Sequence, residues 1–244
     1  MNPDIVTFSS LDTDRFGILI ARTNQIKSEN LQAILDFCAE NQIKLLIARC
    51  PTSEIESVHD MEDEGFRLMD TLVYLRKDLR DHHPQPQQTE LTIRTFEPAD
   101  LHQVVDVARA SFAGYKGHYN VDHRLEPKAA IEVYASWAER CCLDPSVADR
   151  VLVAEINGKI VGFRAIRINT PEQAEFVLSG VAPEARHKGV YRSFVIEGLR
   201  WCKEVNAEEV LVSTLLINTP VQKTCHELGF TAYSSYHTFH KWFD

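Results

Sequence analysis

Downstream of Glu175 the hydrophobic pattern switches repeatedly between short apolar runs and helical spacing. Glu175 to Val181 is apolar enough for a strand, and Ala182-Pro183 ends it. From Ser193 to Val205, Phe194, Val195, Leu199 and Cys202 fall on one stripe of a helix. Val210-Leu211-Val212 is a further strand. Asn218-Thr219-Pro220 carries helix-start signals, with Asn suited to capping and Pro to the first turn, ahead of Val221, Thr224, Cys225 and Leu228 on one face. Gly229-Phe230 closes that helix and opens a final strand. Further upstream, Leu91 to Thr95 reads as a strand, Pro98 to Phe112 as a helix, and Ile131, Tyr134, Ala135 and Ala138 as another helix with Trp137 beside them. Val151 to Ile156 and Ile160 to Ile168 flank Asn157-Gly158, the dipeptide that suits a type I′ hairpin turn. The alternation predicts an α/β protein.

The same alternation occurs near the N-terminus. Leu31 to Lys77 runs helix, strand, helix, strand, and so does Phe194 to Lys241. Cys38 precedes the strand start Leu45 by seven residues and Cys202 precedes Val210 by eight, while Lys77 and Lys241 each follow a Gly-Phe pair by eleven residues. A partial duplication and a coincidence of two similarly periodic units both account for this. Between the segments, Asp81 to Gln88 is polar, contains prolines and lacks hydrophobic period. The expected organisation is therefore a smaller N-terminal α/β domain over 1–80, a linker at 81–89 and a larger domain over 90–244.

A chain of 244 residues carries enough sequence for two cores, and its net charge of −9 argues against nucleic acid as a partner. No run is long enough to span a bilayer, and Met1-Asn2-Pro3-Asp4 does not begin a basic and apolar leader, so a cytoplasmic protein with no membrane partner is expected. The six cysteines sit mostly within helix and strand patterns, as small buried hydrophobes would in a reducing compartment. Cys141 and Cys142 are adjacent and have no ligand spacing. His82-His83 has no Cys or carboxylate cluster around it, which favours a solvated linker, and no metal is expected.

Candidate chemistry concentrates in two segments. Arg186-His187-Lys188-Gly189-Val190-Tyr191 leads into a helix, whose first N–H groups are unsatisfied and whose dipole adds partial positive charge, so the turn is suited to a diphosphate. Gly189 permits close approach, and Arg186, Lys188 and Arg192 add full charges. Taken alone, such a turn is more often a solvated one before an amphipathic helix. The second segment, Phe112 to Arg124, contains His118, Tyr119 and Arg124 among glycines and aromatics, the composition of a loop that stacks on and hydrogen-bonds a sugar or a nucleotide. A solvent loop has this composition as well.

With these residues in view, the chain resembles the GNAT acyltransferases. Their loop, Arg/Gln-x-x-Gly-x-Gly/Ala, is matched by Arg186 and Gly189, with Tyr191 in place of the last small residue. Their later motif is matched at Asn218, Leu228, Gly229 and Phe230, with Cys225 where the family has tyrosine. The resemblance implies a C-terminal GNAT-like mixed sheet flanked by helices, with an N-terminal domain resembling half of the same fold. It further implies acyl-CoA as co-substrate, held by Val181, by Arg186, His187, Lys188, Gly189, Val190, Tyr191 and Arg192, and by Asn218. The N-terminal copy lacks the basic glycine turn and is assigned no coenzyme site. Over its whole length the chain resembles the dTDP-fucosamine N-acetyltransferase branch, through Asp14-Arg15-Phe16-Gly17, Glu64 to Val73, Ser111-Phe112, Tyr134 and Trp137. This implies a nucleotide-linked, dTDP-type amino sugar as acceptor, an acetyl or larger group such as hydroxybutyryl as cargo, and a place in lipopolysaccharide biosynthesis. His118, Tyr119, Arg124, Tyr134 and Trp137 are then the candidate acceptor residues. A homodimer is compatible with these readings, and acylation of a protein or peptide amine and an inactive acyl-CoA sensor are the alternatives.

Acyl transfer needs a neutral amine, donors for a tetrahedral oxyanion, and a fate for the leaving thiolate. Backbone N–H groups at Gly180 or Val181 are the candidate oxyanion donors. Cys225 occupies the position of the proton donor. An amine with a pKa of about 7.7–8.0 is substantially neutral near pH 7.5, so no strong base is required. His118, Glu175 and His226 are the side chains able to serve as one.

Overall fold

The computed structural model describes residues 5–24, 26–80 and 91–243. The expected linker with His82-His83, and the first four residues, lie outside them. The elements run in chain order as β1 (Thr7–Phe8), α1 (Ser10–Phe16), β2 (Ile20–Thr23), α2 (Ser28–Glu40), β3 (Leu45–Pro51), α3 (Ile55–Asp63) and β4 (Arg67–Asp78). Next come β5 (Thr92–Thr95), α4 (Leu101–Phe112), α5 (His118–Val121), α6 (Pro127–Leu143), β6 (Arg150–Ile156), β7 (Lys159–Thr170) and β8 (Gln173–Val181). The chain closes with α7 (Val190–Glu204), β9 (Glu209–Leu215), α8 (Thr219–Glu227) and β10 (Thr231–Trp242). The α2-β3-α3-β4 and α7-β9-α8-β10 runs repeat one order of elements. Gly65 and Gly229, at corresponding places in the two runs, both adopt a left-handed conformation, with φ of +75° and +83°.

The chain divides into two compact units. Unit 1 comprises 1–73, 116–130 and 234–244, and unit 2 comprises 74–115 and 131–233. In unit 1 the strand order is β1-β2-β3-β10, with β2 and β3 parallel and the outer pairs antiparallel. Its core joins Ile34 and Cys38 of α2, Leu46 and Ala48 of β3, Met61 of α3 and Phe239 of β10, all essentially inaccessible. In unit 2 the order is β9-β8-β7-β6-β5, with β8 and β9 parallel and the rest antiparallel. Each unit is thus a mixed sheet with helices, the expected α/β class.

Asn157 and Gly158 take φ of +52° and +77° between β6 and β7, as a type I′ turn requires. Along β8 every second residue is buried, and the sheet of unit 2 is covered on both faces. On one face α7 packs so closely that a Cβ on Gly198 would lie 2.8 Å from the Phe176 ring; on the other, a Cβ on Gly180 would lie 2.5 Å from Phe163 and 2.9 Å from Ser111 Oγ. Three local expectations are corrected. Pro98 begins a short 3-10 turn, Pro98–Asp100, which runs directly into α4 at Leu101, a tighter first turn of the kind common at helix ends. The stretch read as an irregular loop contains α5. Asn218 stands at the N-cap of α8, but its side chain makes no capping bond; its Nδ2 donates to Thr214 Oγ1 at 3.0 Å, which fixes the amide toward β9.

Candidate functional site

Two groups of residues with chemical potential emerge, one in each unit. In unit 2, β8 and β9 are paired only from Gln173–Glu209 to Phe176–Val212, yet β8 continues to Val181 and β9 to Leu215. Beyond Phe176 the parallel ladder ends, and the β9 side of residues 177–181 has no strand partner in it. Gly180 and Val181 are still held on their other side by Phe163 and Gly162 of β7. Backbone donors fixed by one neighbour and released by the other are what a developing oxyanion needs.

The same strand leads into the basic turn. His187 and Gly189 adopt positive φ, +62° and +77°, and Gly189 is the N-cap residue of α7, so the successive N–H groups of residues 188–191 stand at the start of a fifteen-residue helix. Arg186, His187 and Lys188 are exposed around it. Arg186 Nη2 donates to the Ser111 carbonyl at 3.2 Å, and Arg192 lies 3.5 Å from Glu227. Val190 is buried and anchors the first turn.

At the first turn of α7 the two departures from the family pattern meet: Tyr191 Oη lies 3.8 Å from Cys225 Sγ on α8. Burial raises the Cys225 thiol above its ordinary range, and burial likewise pushes the Tyr191 phenol up to about 12 against an opposing pull from Arg164. Arg164 of β7 is wholly inaccessible. Its guanidinium sits 4.3 Å from the Phe176 ring centre and 4.8 Å from that of Tyr191, and no hydrogen-bond partner for its nitrogens occurs among the described residues. A charged residue on a hairpin strand gives no sequence signal of burial, and the sequence reading missed it. Ser111, read in the sequence only as part of a motif, has a buried hydroxyl with no partner among the described residues, facing Gly180. Of the other acceptor candidates in this unit, Tyr134 is buried and stacked on Phe112 at 4.2 Å and 6°, and Trp137 is half-buried on the same helix. Glu175 is paired with Arg167 at 2.8 Å, and His226 Nδ1 lies 3.0 Å from the Phe230 carbonyl, so both candidate bases have structural partners.

In unit 1 the candidates His118, Tyr119 and Arg124 gather around buried carboxylates. Asp122 Oδ2 lies 2.6 Å from His240 Nδ1 and accepts from Trp242 Nε1 at 2.9 Å, while Oδ1 accepts from the Arg124 N–H at 2.9 Å. Burial raises the Asp122 pKa, but these hydrogen bonds outweigh it and bring it to about 2, so the carboxylate is ionised. His240 Nε2 is 2.9 Å from His118 Nδ1. Burial, and then the nearby His240, Arg22 and Arg49, hold His118 well below its ordinary pKa and therefore neutral. Its backbone N–H donates to Asp70 Oδ2 at 2.7 Å, and burial raises Asp70. Tyr119 donates to Asp12 Oδ1 at 2.8 Å, and Asp12 also binds Arg22 Nε at 2.7 Å. Arg124 is exposed, its guanidinium 4.1 Å over the Trp242 ring.

All six cysteines are free, and every one but Cys142 is buried. No group of three or more His, Cys, Asp or Glu able to hold a metal, and no helix long and apolar enough to cross a membrane, occurs among the described residues.

Comparison with known proteins follows the same lines. The model of the acetyltransferase (GNAT) family matches residues 101–230, which is 130 of the 244 residues. A mycothiol acetyltransferase of Thermomonospora curvata is 25% identical over 174 residues, 70% of this chain and 55% of that protein. The spore coat polysaccharide biosynthesis protein SpsD of Bacillus subtilis is 27% identical over 203 residues, 83% of this chain and 68% of that protein. Among solved structures, a GCN5-related N-acetyltransferase from Sphaerobacter thermophilus superposes with a TM-score of 0.65 at 16% identity, over 97% of this chain and 76% of that one. The chain therefore spans little more than half the length of the mycothiol acetyltransferase it matches.

Proposed function

We propose, from the premise that this chain belongs to the acetyltransferase (GNAT) family, that it transfers an acyl group from acyl-CoA to the amine of a nucleotide-linked, dTDP-type amino sugar. The observation that carries the donor half is the end of the β8–β9 ladder beside the N-terminus of α7: unpaired strand backbone next to a helix start that is suited to a diphosphate. The basic turn of residues 186–192 takes the diphosphate of the coenzyme. Val181 presents its N–H to the thioester carbonyl, with the Ser111 hydroxyl as a further donor, whereas the Gly180 N–H points toward β7, as the Ala182 N–H two residues on does in donating to the Val161 carbonyl. The amine nitrogen attacks the carbonyl carbon, the oxyanion collapses, the C–S bond breaks and the thiolate takes up a proton. Tyr191, beside Cys225, has the hydroxyl for that last step.

The acceptor half rests on the likeness to SpsD, whose name places that protein in polysaccharide biosynthesis and which aligns with 83% of this chain. An acceptor of the kind used by the mycothiol acetyltransferases is the second reading, favoured by the match over 70% of the chain. Tyr134 and Trp137, in unit 2, are proposed to hold the acceptor, and His118, Tyr119 and Arg124 are the separate candidates of unit 1.

Turnover with acetyl-CoA and larger acyl-CoA donors, followed by release of free thiol, tests the proposal against a panel of nucleotide-linked amino sugars, mycothiol precursors and peptide amines. Acylation of a nucleotide-linked amine with kcat/KM well above that of the others is the expected result. Thiol release with a different acceptor class removes the sugar reading. Binding of acyl-CoA with no transfer to any amine makes the protein a sensor.

A further inference from the structure

Within unit 1 lies a pocket of about 480 Å³ built from β4, the segment after α5 and the end of β10. That volume falls within the range of small-molecule sites. The sequence shows no basic cluster here, because Arg67, Arg124 and Lys241 come from three distant stretches, and the chain as a whole is acidic. Apolar side chains line the pocket as well. Leu68 is 53% exposed at the pocket although it is a large aliphatic residue, and Trp242 presents its indole beside it.

The pocket is held in shape before any ligand arrives. Trp242 Nε1 and the Arg124 N–H both donate to Asp122, and the Arg124 guanidinium covers the indole at 4.1 Å, so ring and cation are tied to one carboxylate. Lys241 Nζ is anchored on the Glu64 carbonyl. The charge of Asp122 is engaged by three donors, which reduces its repulsion of an anion. Arg67 and His123 are exposed and make no ion pair or hydrogen bond among the described residues.

We propose that this pocket binds a nucleoside diphosphate, with the base against the Arg124–Trp242 stack and Leu68, and the phosphates on Arg67, Arg124 and Lys241. Guanidinium groups grip phosphate bidentately, and a flat ring beside an indole and a guanidinium gains stacking as well as charge. The diphosphate has two sources: the nucleotide of a sugar-linked acceptor, which rests on the function proposed above, or a second molecule of coenzyme A.

Calorimetric titration of the full-length chain with dTDP, UDP and ADP, each with coenzyme A already saturating the site in unit 2, tests the pocket. A further titration with coenzyme A alone measures its stoichiometry. The expected result is one equivalent of nucleoside diphosphate, or of second-site coenzyme A, bound by the wild type, with affinity falling at least tenfold in Arg67→Glu/Arg124→Glu. Arg67→Glu alone changes only an exposed side chain and provides the same reading if the double variant does not fold. Absence of binding up to roughly 1 mM, or equal affinity in the folded variants, overturns the proposal. Acceptor and pocket are separable. Nucleotide binding without acylation of any nucleotide-linked amine leaves the pocket and removes the acceptor reading, whereas acylation with an unchanged KM in both variants does the opposite.

Discussion

Asp122→Asn is the substitution whose outcome the structure sets most tightly. Every group that faces this carboxylate is a donor: His240 Nδ1, Trp242 Nε1 and the Arg124 N–H. The amide of asparagine must turn its NH2 toward one of them, so the variant loses a charge and also orphans a donor. Holding the pKa down at about 2 corresponds to roughly 2 kcal/mol of native-state stabilisation by the ionised form. The orphaned donor adds roughly 1–3 kcal/mol. Because the folded pKa is depressed, the charge contribution is complete above the unfolded pKa and is lost as pH falls through the folded one. It is intact at pH 5 and smaller by about 1 kcal/mol at pH 3. Urea denaturation of wild type and Asp122→Asn at pH 7, 5 and 3 measures this, alongside a melting temperature that falls by roughly 10 °C at pH 7. A fall of less than about 2 °C, or a stability gap as wide at pH 3 as at pH 7, refutes the argument.

In the other unit, Gly189→Val places a β-branched residue at φ +77°, so it is expected to lose the coenzyme-dependent stabilisation, about 2.7 kcal/mol at a hundred times the dissociation constant; an unchanged thermal shift places the coenzyme elsewhere. Cys225→Ala is expected to lower turnover less than about tenfold across pH 6 to 9, since its thiol is wholly inaccessible while Tyr191 keeps some exposure, whereas Tyr191→Phe lowers kcat by on the order of a hundredfold with coenzyme binding retained; the reverse ranking in steady-state kinetics reassigns the proton donor to Cys225. Arg164→Met replaces a buried guanidinium that lacks acceptors with an apolar chain of similar length, so the ligand-free protein is expected to melt no lower than wild type, and stability loss beyond about 1 kcal/mol shows that the Phe176 and Tyr191 rings alone compensate the charge.

Local chemistry made much of the fold legible. Asn157-Gly158 is a turn because both residues tolerate positive φ, and Gly189 marks the start of α7 for the same reason. The repeated αβαβ order could be followed because each helix carries its own buried stripe. Legibility stopped where a residue's fate depends on distant partners. The spacing of Asp122 and His240 is 118 residues, and no window of sequence contains their hydrogen bond. Arg164 is a cation in an alternating strand, which reads as exposed until α7 covers it. Asn218 fits every capping rule, yet its amide is fixed toward Thr214 on β9. Ser111 was noticed only as part of a motif, because a hydroxyl gains meaning from the backbone it faces.

The composition of unit 1 has a consequence for how the chain is made. Its first stretch ends at Val73 and its last begins at Ser234, 161 residues later. At ribosomal speeds of about 5–20 residues per second, β3 waits on the order of ten to thirty seconds for β10 to emerge. During that interval the β3 edge that will pair with His237 to Trp242 is open, with Leu45, Leu46, Ile47 and Ala48 in a row and few charges to discourage another strand. Truncation before Ser234 is expected to leave unit 1 with an unpaired hydrophobic edge at β3 that invites aggregation.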